Sequence, residues 1–328
     1  MKLFEYVRSS EPQDAIQSAA APDTKFLAGG TNLVDLMRYG VESPSRLVDV
    51  NRLPLTRIEE LPNGGIRLGA LARNSDTANH PLVRERYPLL ARAILSGASP
   101  QLRNLATNGG NLLQRTRCQY FMNTTFPHCN KRTPGSGCDA TDGLNRRHAT
   151  FGWSDHCVAT HPSDMAVALV ALEATLRIRG TTGERAVPIA EFYRLPGDTP
   201  QFDTQLRDGE LIQEIELPKS PYAQHSQYVK VRDRASYDFA LVSAAVGLEV
   251  VDGVIKSARV ALGGVAHKPW RAEEVERALA GKRVSSATFK DGAEHAADGA
   301  RPLKHNVYKI ALLKQTVLQA LFSAGGLA

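Results

Sequence analysis

The chain has 328 residues, of which 42% are hydrophobic and 23% charged, with a formal net charge of +6. That length is about twice a typical domain, and the composition excludes wholesale disorder and collagen-like repeats. The mild basic excess reads as a solvated surface, because no basic stripe interleaved with aromatics marks a nucleic-acid groove, and no apolar run approaches the ~18 residues of a membrane helix.

The opening stretch, from Met1 to Pro12, has neither an apolar signal core nor a twin arginine before one, so the expectation is synthesis in the cytoplasm with any export as the cargo of another chain. The first fifty residues read as an α/β unit. Lys25 to Ala28 predicts a strand, Gly29-Gly30 a turn, and Thr31 or Asn32 the cap of a helix with Leu33, Leu36 and Met37 on its apolar face. Leu47 to Val50 is the next strand, and Asn63-Gly64-Gly65 turns into another over 66–70. A helical pattern runs over about 75–96, with Leu89, Leu90, Ala93 and Ile94 on one side, followed by a glycine-rich polar stretch from Ser96 to Asn111.

Periodicity is lost from Arg115 to about His161, where Pro127, Pro134, Gly135 and Gly137 punctuate the chain. An irregular segment of that length inside a compact domain is uncommon unless functional. Helix resumes at Ser163-Asp164, and 174–179 and 211–217 are strands. A boundary is expected near Lys219-Ser220-Pro221. Beyond it, strands are predicted over 227–232, 242–250 and 257–262, with Asp252-Gly253 as a tight hairpin, then helices over about 271–281 and 306–323.

All four cysteines, Cys118, Cys129, Cys138 and Cys157, fall in the irregular segment, with ten, eight and eighteen residues between successive thiols. Three readings stand. A four-thiolate iron–sulfur cluster tolerates ligands from a long loop, two disulfides are an alternative, and zinc usually shows a short C-x₂₋₄-C knuckle that is missing here. His128, His148, His156 and His161 lie nearby as solvated or structural residues, or as a substitute ligand.

Two glycine turns carry the other signal. In Gly29-Gly30-Thr31-Asn32 the glycines allow positive φ and close approach, so backbone N–H groups form a cradle for phosphate oxygens, or else glycine serves the turn alone. Thr107-Asn108-Gly109-Gly110-Asn111 repeats that chemistry, as the other end of one diphosphate or as a surface turn. Asp164 is a first-turn helix carboxylate or a ligand for a ribityl or ribose hydroxyl. Lys230, Arg232 and Arg234 would share one strand face.

These motifs, with Arg234 to Ala240 and Ala261 to Val265, resemble the FAD-binding medium subunit of the xanthine dehydrogenase/molybdenum hydroxylase family, in order and over essentially the whole chain. The cysteine segment is similar to a subgroup of that family, the bacterial periplasmic three-subunit aldehyde oxidoreductases, in which four cysteines hold a 4Fe–4S cluster. The resemblance implies an α+β fold: FAD-binding subdomains at 1–55 and 56–220, the second carrying an iron–sulfur loop at 115–161, and a C-terminal α+β domain at 221–328. It implies that Phe26, Leu27, Ala28, Gly29, Gly30, Thr31 and Asn32 cradle the FAD pyrophosphate, with Thr107, Gly110 and Asn111 completing the pocket. Asp164 would bind the FAD chain, and Gly97, Ala98, Lys230 and Phe239 would lie near the flavin; the basic strand face, by its alternation, is either an ordinary solvated face or one that stabilises a reduced, anionic flavin. Cys118, Cys129, Cys138 and Cys157 would ligate the cluster.

The expected function follows from that resemblance. An aldehyde is oxidised to a carboxylic acid at a molybdenum cofactor on a large partner, and electrons cross 2Fe–2S clusters on a small partner to this FAD. No side chain here acts as catalytic acid or base. The periplasm is the expected compartment, reached with a partner bearing the signal, and the cytoplasm is the alternative. The competing functions are a hydroxybenzoyl-CoA reductase-like medium subunit, a zinc-binding adaptor, and a self-sufficient flavin enzyme.

Overall fold

The computed structural model describes residues 1–327. Three sheets succeed one another along the chain. The first is parallel, in the order β1 (Glu5–Arg8), β3 (Arg46–Asp49), β2 (Thr24–Leu27), with Val7 and Phe26 both in register with Val48. Parallel strands need crossovers, which here are the helices Pro12–Ala19 and Leu33–Arg38. Ala15, Ile16, Val48 and Val50 form its core.

The second sheet is antiparallel, in the order β4 (Ile58–Glu60), β5 (Ile66–Gly69), β8 (Leu211–Leu217), β6 (Thr175–Gly180), β7 (Gly183–Pro188). The apolar helices Pro88–Ser96 and Asp164–Ala171 share its core cluster. The third sheet, also antiparallel, runs β12 (Trp270–Arg271), β11 (Val254–Gly263), β10 (Val242–Val251), β9 (Ser226–Val231). Its apolar face is covered by the helices Glu273–Leu279, Ser286–Glu294 and Lys309–Ala324. The β10–β11 hairpin turns at Asp252 and Gly253, both at positive φ, as the Asp-Gly pair predicts.

Some expectations change. The helix expected over 75–96 is three, Asn74–Asn79, Pro81–Arg86 and Pro88–Ser96. Proline forces the residue before it out of helical geometry, so His80 takes an extended ψ of 134°. Strand β7 and the helix Ser286–Glu294 carry no strong period and were not expected. Lys230 lies on β9, but the strand ends at Val231, so Arg234 does not share its face. Arg234 instead donates to the carbonyl of Tyr237.

The segment 115–161 holds only the short helical turns Gln119–Met122 and Asp139–Asp142. Two small apolar clusters order it, one of Phe121 and Cys129 against Leu36 of the helix Leu33–Arg38, the other of Tyr120, Ala140 and Val158. Cys118 packs against both.

Candidate functional site

The first turn sits where β2 gives way to the helix Leu33–Arg38. Gly30 has a φ of +72°, a region that only glycine enters without strain. Among the described residues, the N–H groups of Gly29, Gly30, Thr31 and Asn32 donate to no backbone acceptor. The side-chain amide nitrogen of Asn32 is also buried without a partner. These donors line a cleft of about 540 Å³ together with Phe26, Leu27 and Ala28. A run of free donors in a concave backbone suits anionic oxygens, so the residues fit a phosphate-bearing cofactor.

The turn is held from below. Asn51 Nδ2 donates to the carbonyl of Ala28 at 3.0 Å and to Asp49 Oδ1 at 2.7 Å. Asp49 also accepts from Arg8 Nε at 3.0 Å and from the Tyr6 hydroxyl. Burial opposes its ionisation, yet the hydrogen bonds from Tyr6, Asn51 and Arg8 prevail and hold the carboxyl at about 2.

The second turn behaves differently from the first. The N–H groups of Asn108, Gly109, Gly110 and Asn111 bond to Ala72 O, Ala70 O, Thr107 Oγ1 and Thr107 O. It therefore does not repeat the cradle chemistry but buttresses the first turn. Thr107 and Gly110 line the cleft. Asn111 stands behind the wall, donating to Asn74 Oδ1 at 2.7 Å and accepting from Ser163 Oγ at 2.6 Å.

The far wall of the cleft joins the cysteine segment. Lys131, almost fully buried, donates to Asp203 Oδ1 at 2.5 Å and to the carbonyl of Pro200 at 2.6 Å. Arg115 bridges Asp203 at 2.8 Å and Glu42 at 2.5 Å and stacks on Phe121. Burial alone would raise the Asp203 carboxyl, but the Lys131 and Arg115 charges hold it well below the usual range. Local sequence gives no signal for this network, since its members lie some seventy to ninety positions apart.

A second cavity of about 360 Å³ is lined by Cys118, His148, Ser163, Asp164 and Phe239, among others. Asp164 is not a solvated first-turn carboxylate. It is buried, accepting from Lys230 Nζ at 2.8 Å and from the Tyr228 hydroxyl at 2.6 Å. Ser163 caps the helix instead, accepting from Ala166 N at 3.0 Å. Gly97 lies against Asp164, since a Cβ there would come 3.2 Å from Oδ2, and Ala98 follows at positive φ. Lys230 and Arg232 both donate to the carbonyl of Ser96 at 3.1 Å. Gly97, Asp164 and Lys230 thus meet at one point, with Phe239 on the cavity wall under the Arg117 guanidinium.

The four thiols are unbridged, so disulfides do not order the segment. Cys129 pairs with Cys138 through an antiparallel bridge, and Cys157 with Ser154. Cys118 lies within charge range of Cys157 and Cys129, and Cys157 within range of Cys138 and Cys129. Burial pushes the Cys118 and Cys157 thiols up to about 12, so each is a neutral thiol at neutral pH unless a bound cation displaces its proton. Among the described residues, no three His, Cys, Asp or Glu side chains close to the spacing of a single metal ion. His128 and His156 sit outside this group, facing Asp139 and Asp198. His148 Nε2 lies 3.1 Å from Cys118 Sγ.

Comparison with known proteins identifies two domains that together span most of the chain. Residues 2–220 match the FAD binding domain in molybdopterin dehydrogenase, and residues 227–325 match the CO dehydrogenase flavoprotein C-terminal domain. The chain is 49% identical, over 99% of both chains, to the aldehyde oxidoreductase FAD-binding subunit PaoB of Escherichia coli. It is 29% identical to the glyceraldehyde dehydrogenase medium chain of Sulfolobus acidocaldarius, over 91% of this chain and 89% of that one. The carbon monoxide dehydrogenase structure from Hydrogenophaga pseudoflava superposes with a TM-score of 0.77 at 27% identity, covering 100% of this chain and 99% of its own. The expected α+β flavoprotein fold is therefore the observed one.

Proposed function

This chain belongs to the FAD-binding subunits of the molybdenum hydroxylases, and from that premise we propose that it is the FAD and 4Fe–4S electron-transfer subunit of a three-subunit, molybdenum-dependent aldehyde oxidoreductase. Family membership sets the zinc adaptor aside. The high identity to an aldehyde oxidoreductase subunit favours aldehydes over the hydroxybenzoyl-CoA reductase-like reading. In this proposal a large subunit carries the molybdenum cofactor and a small one the 2Fe–2S clusters. The compartment is the periplasm, entered with a signal-bearing partner, with the cytoplasm as the alternative that fractionation decides. The units are 1–55, 56–220 and 221–328, each holding one sheet.

FAD supplies chemistry that accepts and passes on electrons singly or in pairs. What the chain contributes is binding and electrostatics. Gly29 to Asn32 offer the N–H run to the pyrophosphate, Phe26 to Ala28 line the approach, and Thr107 and Gly110 close the other side. Asp164, fixed by Lys230 beside Gly97 and Ala98, faces the cavity that Phe239 walls, and this cavity takes the flavin side of the cofactor. Positive charge from Arg232, which donates to the carbonyl of Ser96, favours the reduced, anionic form, whereas the Lys230 charge is matched by Asp164.

The observation that supports the cluster is that all four cysteines are unbridged and fall in one segment with almost no regular structure. A four-iron cluster sets iron atoms between its ligands, so its thiolates stand farther apart than those of one ion. The test is the complex purified without air. Flavin bands near ~450 nm with a broad iron–sulfur shoulder, iron and sulfide on this subunit, and aldehyde oxidation that requires the large partner are expected. A colourless subunit containing zinc would overturn the reading, as would aldehyde turnover by this chain alone.

A further inference from the structure

Cys118 differs from the other three cysteines. Among the described residues it is the one cysteine whose sulfur meets a side-chain hydrogen-bond partner, His148 Nε2 at 3.1 Å. Its backbone carbonyl accepts from the N–H groups of Phe121 and Met122, at 3.1 and 2.9 Å, which fixes the start of the short helical turn that carries it. His148 is buried and its other ring nitrogen, Nδ1, has no partner.

The ring is held by its own backbone. The carbonyl of His148 accepts from Lys309 Nζ at 2.9 Å and from Asn306 Nδ2 at 3.1 Å. Lys309 is fully buried and donates also to the carbonyl of Gly264 at 2.7 Å. Two residues from the C-terminal part of the chain, one of them on its last helix, thus fix a histidine against a thiol of the cysteine segment. Cys118 and His148 both border the cavity that holds Asp164 and Phe239, and neither Cys129, Cys138 nor Cys157 does.

We propose that His148 is a positioning residue that donates Nε2–H to the Cys118 sulfur and raises the reduction potential of the four-thiolate cluster. The inference rests on the cluster of the proposed function. A sulfur bound to iron has no proton to give, so the nitrogen facing it must be the donor. A hydrogen bond to a ligand sulfur favours the more negative, reduced cluster, and such bonds are among the levers that set these potentials. The bond also makes the corner nearest the cavity different from the other three.

The test uses the co-expressed complex as parent, His148→Leu and His148→Gln, with iron, sulfide and flavin measured on each. Redox titration of the cluster followed by electron paramagnetic resonance should give a lower potential in His148→Leu at undiminished iron. His148→Gln keeps an N–H donor and should return toward the parent. A parent potential in fully loaded His148→Leu overturns the proposal. Should His148→Leu shed iron, the parent labelled with ¹⁵N in its histidine rings decides. Its reduced cluster should show a histidine nitrogen coupling that His148→Gln removes, and the lack of that coupling overturns the proposal. If the parent subunit itself holds no iron, the failure lies with the cluster and not with His148.

Discussion

Gly29 lies against Leu105 so closely that a Cβ at position 29 would fall 2.2 Å from the Leu105 carbonyl oxygen and 3.2 Å from the Ala106 Cα. The first glycine turn is therefore in direct backbone contact with the residues that lead into the second, and it needs glycine for that approach. The second turn satisfies its own N–H groups and supports the first, which leaves its donors free.

Gly29→Ala should force these turns apart. Overpacking of a rigid backbone contact costs about 1–3 kcal/mol, and the shifted N–H groups should lose most of the bound flavin. Gly30→Val, at a φ of +72°, should do the same through strain. The ratio of flavin to protein absorbance in the purified variants checks this. Full occupancy in both would show that the cradle lies elsewhere.

Asp49 links the first sheet to that cradle through Asn51 and Ala28. Its folded pKa of about 2 lies below the ordinary unfolded value of about 3.9. A depressed carboxyl stabilises the folded state fully above the unfolded value, and the contribution fades as pH falls toward the folded one. Asp49→Asn should cost about 1–3 kcal/mol at neutral pH, the usual range for a hydrogen bond to a charged group. The gap in stability between parent and variant should shrink between about pH 4 and pH 2. Denaturant unfolding across that range measures it, and a gap independent of pH would refute the assignment.

Asp164 and Lys230 form a buried pair, each side chain less than a tenth exposed. Removing one partner strands the other charge away from water, at about 3–5 kcal/mol. Asp164→Leu or Lys230→Leu alone should each destabilise strongly, and the double variant should recover part of the loss. Thermal unfolding of the three variants tests this. Additive losses would mean the residues do not act as a pair.

Cys138→Ser replaces a thiol by a hydroxyl that does not ionise near neutral pH. Iron should fall and the segment 115–161 should become sensitive to protease. Flavin should be partly retained, because the N–H run of Gly29 to Asn32 lies outside the segment. Undiminished iron in this variant would remove Cys138 from the ligand set.

Local chemistry made much of this legible in advance. Gly29-Gly30 between strand and helix, Ser163-Asp164 as the start of a helix and Asp252-Gly253 as a hairpin are decided by residues a few positions apart, and each stands where the sequence places it. The four cysteines fall together in the one segment that lacks regular structure, as their clustering in the sequence suggested. The rest depends on contacts no window contains. Whether the N–H groups of Asn108 and Gly109 are free depends on Ala72 and Ala70, and whether Asp164 is solvated depends on Lys230, sixty-six positions away. The Lys131–Asp203–Arg115 network and the His148–Lys309 contact have no spacing signature at all.

One such long-range contact joins two stretches that line the second cavity, at Arg146-Arg147 and at Phe239. Arg147 reaches from the cysteine segment to Asp233 and Asp238, at 2.6 and 2.9 Å, and Arg146 joins it on Asp233 at 2.7 Å. Asp238 in turn accepts the N–H groups of Asp233 and Phe239, at 3.1 and 2.9 Å, closing the 233–239 loop beside the cavity. These ion pairs are partly exposed, so each is worth about 0–1 kcal/mol to global stability. Their effect should be local. Arg147→Ala should leave the unfolding midpoint nearly unchanged while the amides of Asp233 and Phe239 exchange hydrogen much faster, since local opening needs only the loop. Hydrogen exchange resolved to this loop tests the latch. Unchanged protection at both amides would show that Asp238 holds the loop without the arginine, and the cysteine segment would then have no hold on that loop.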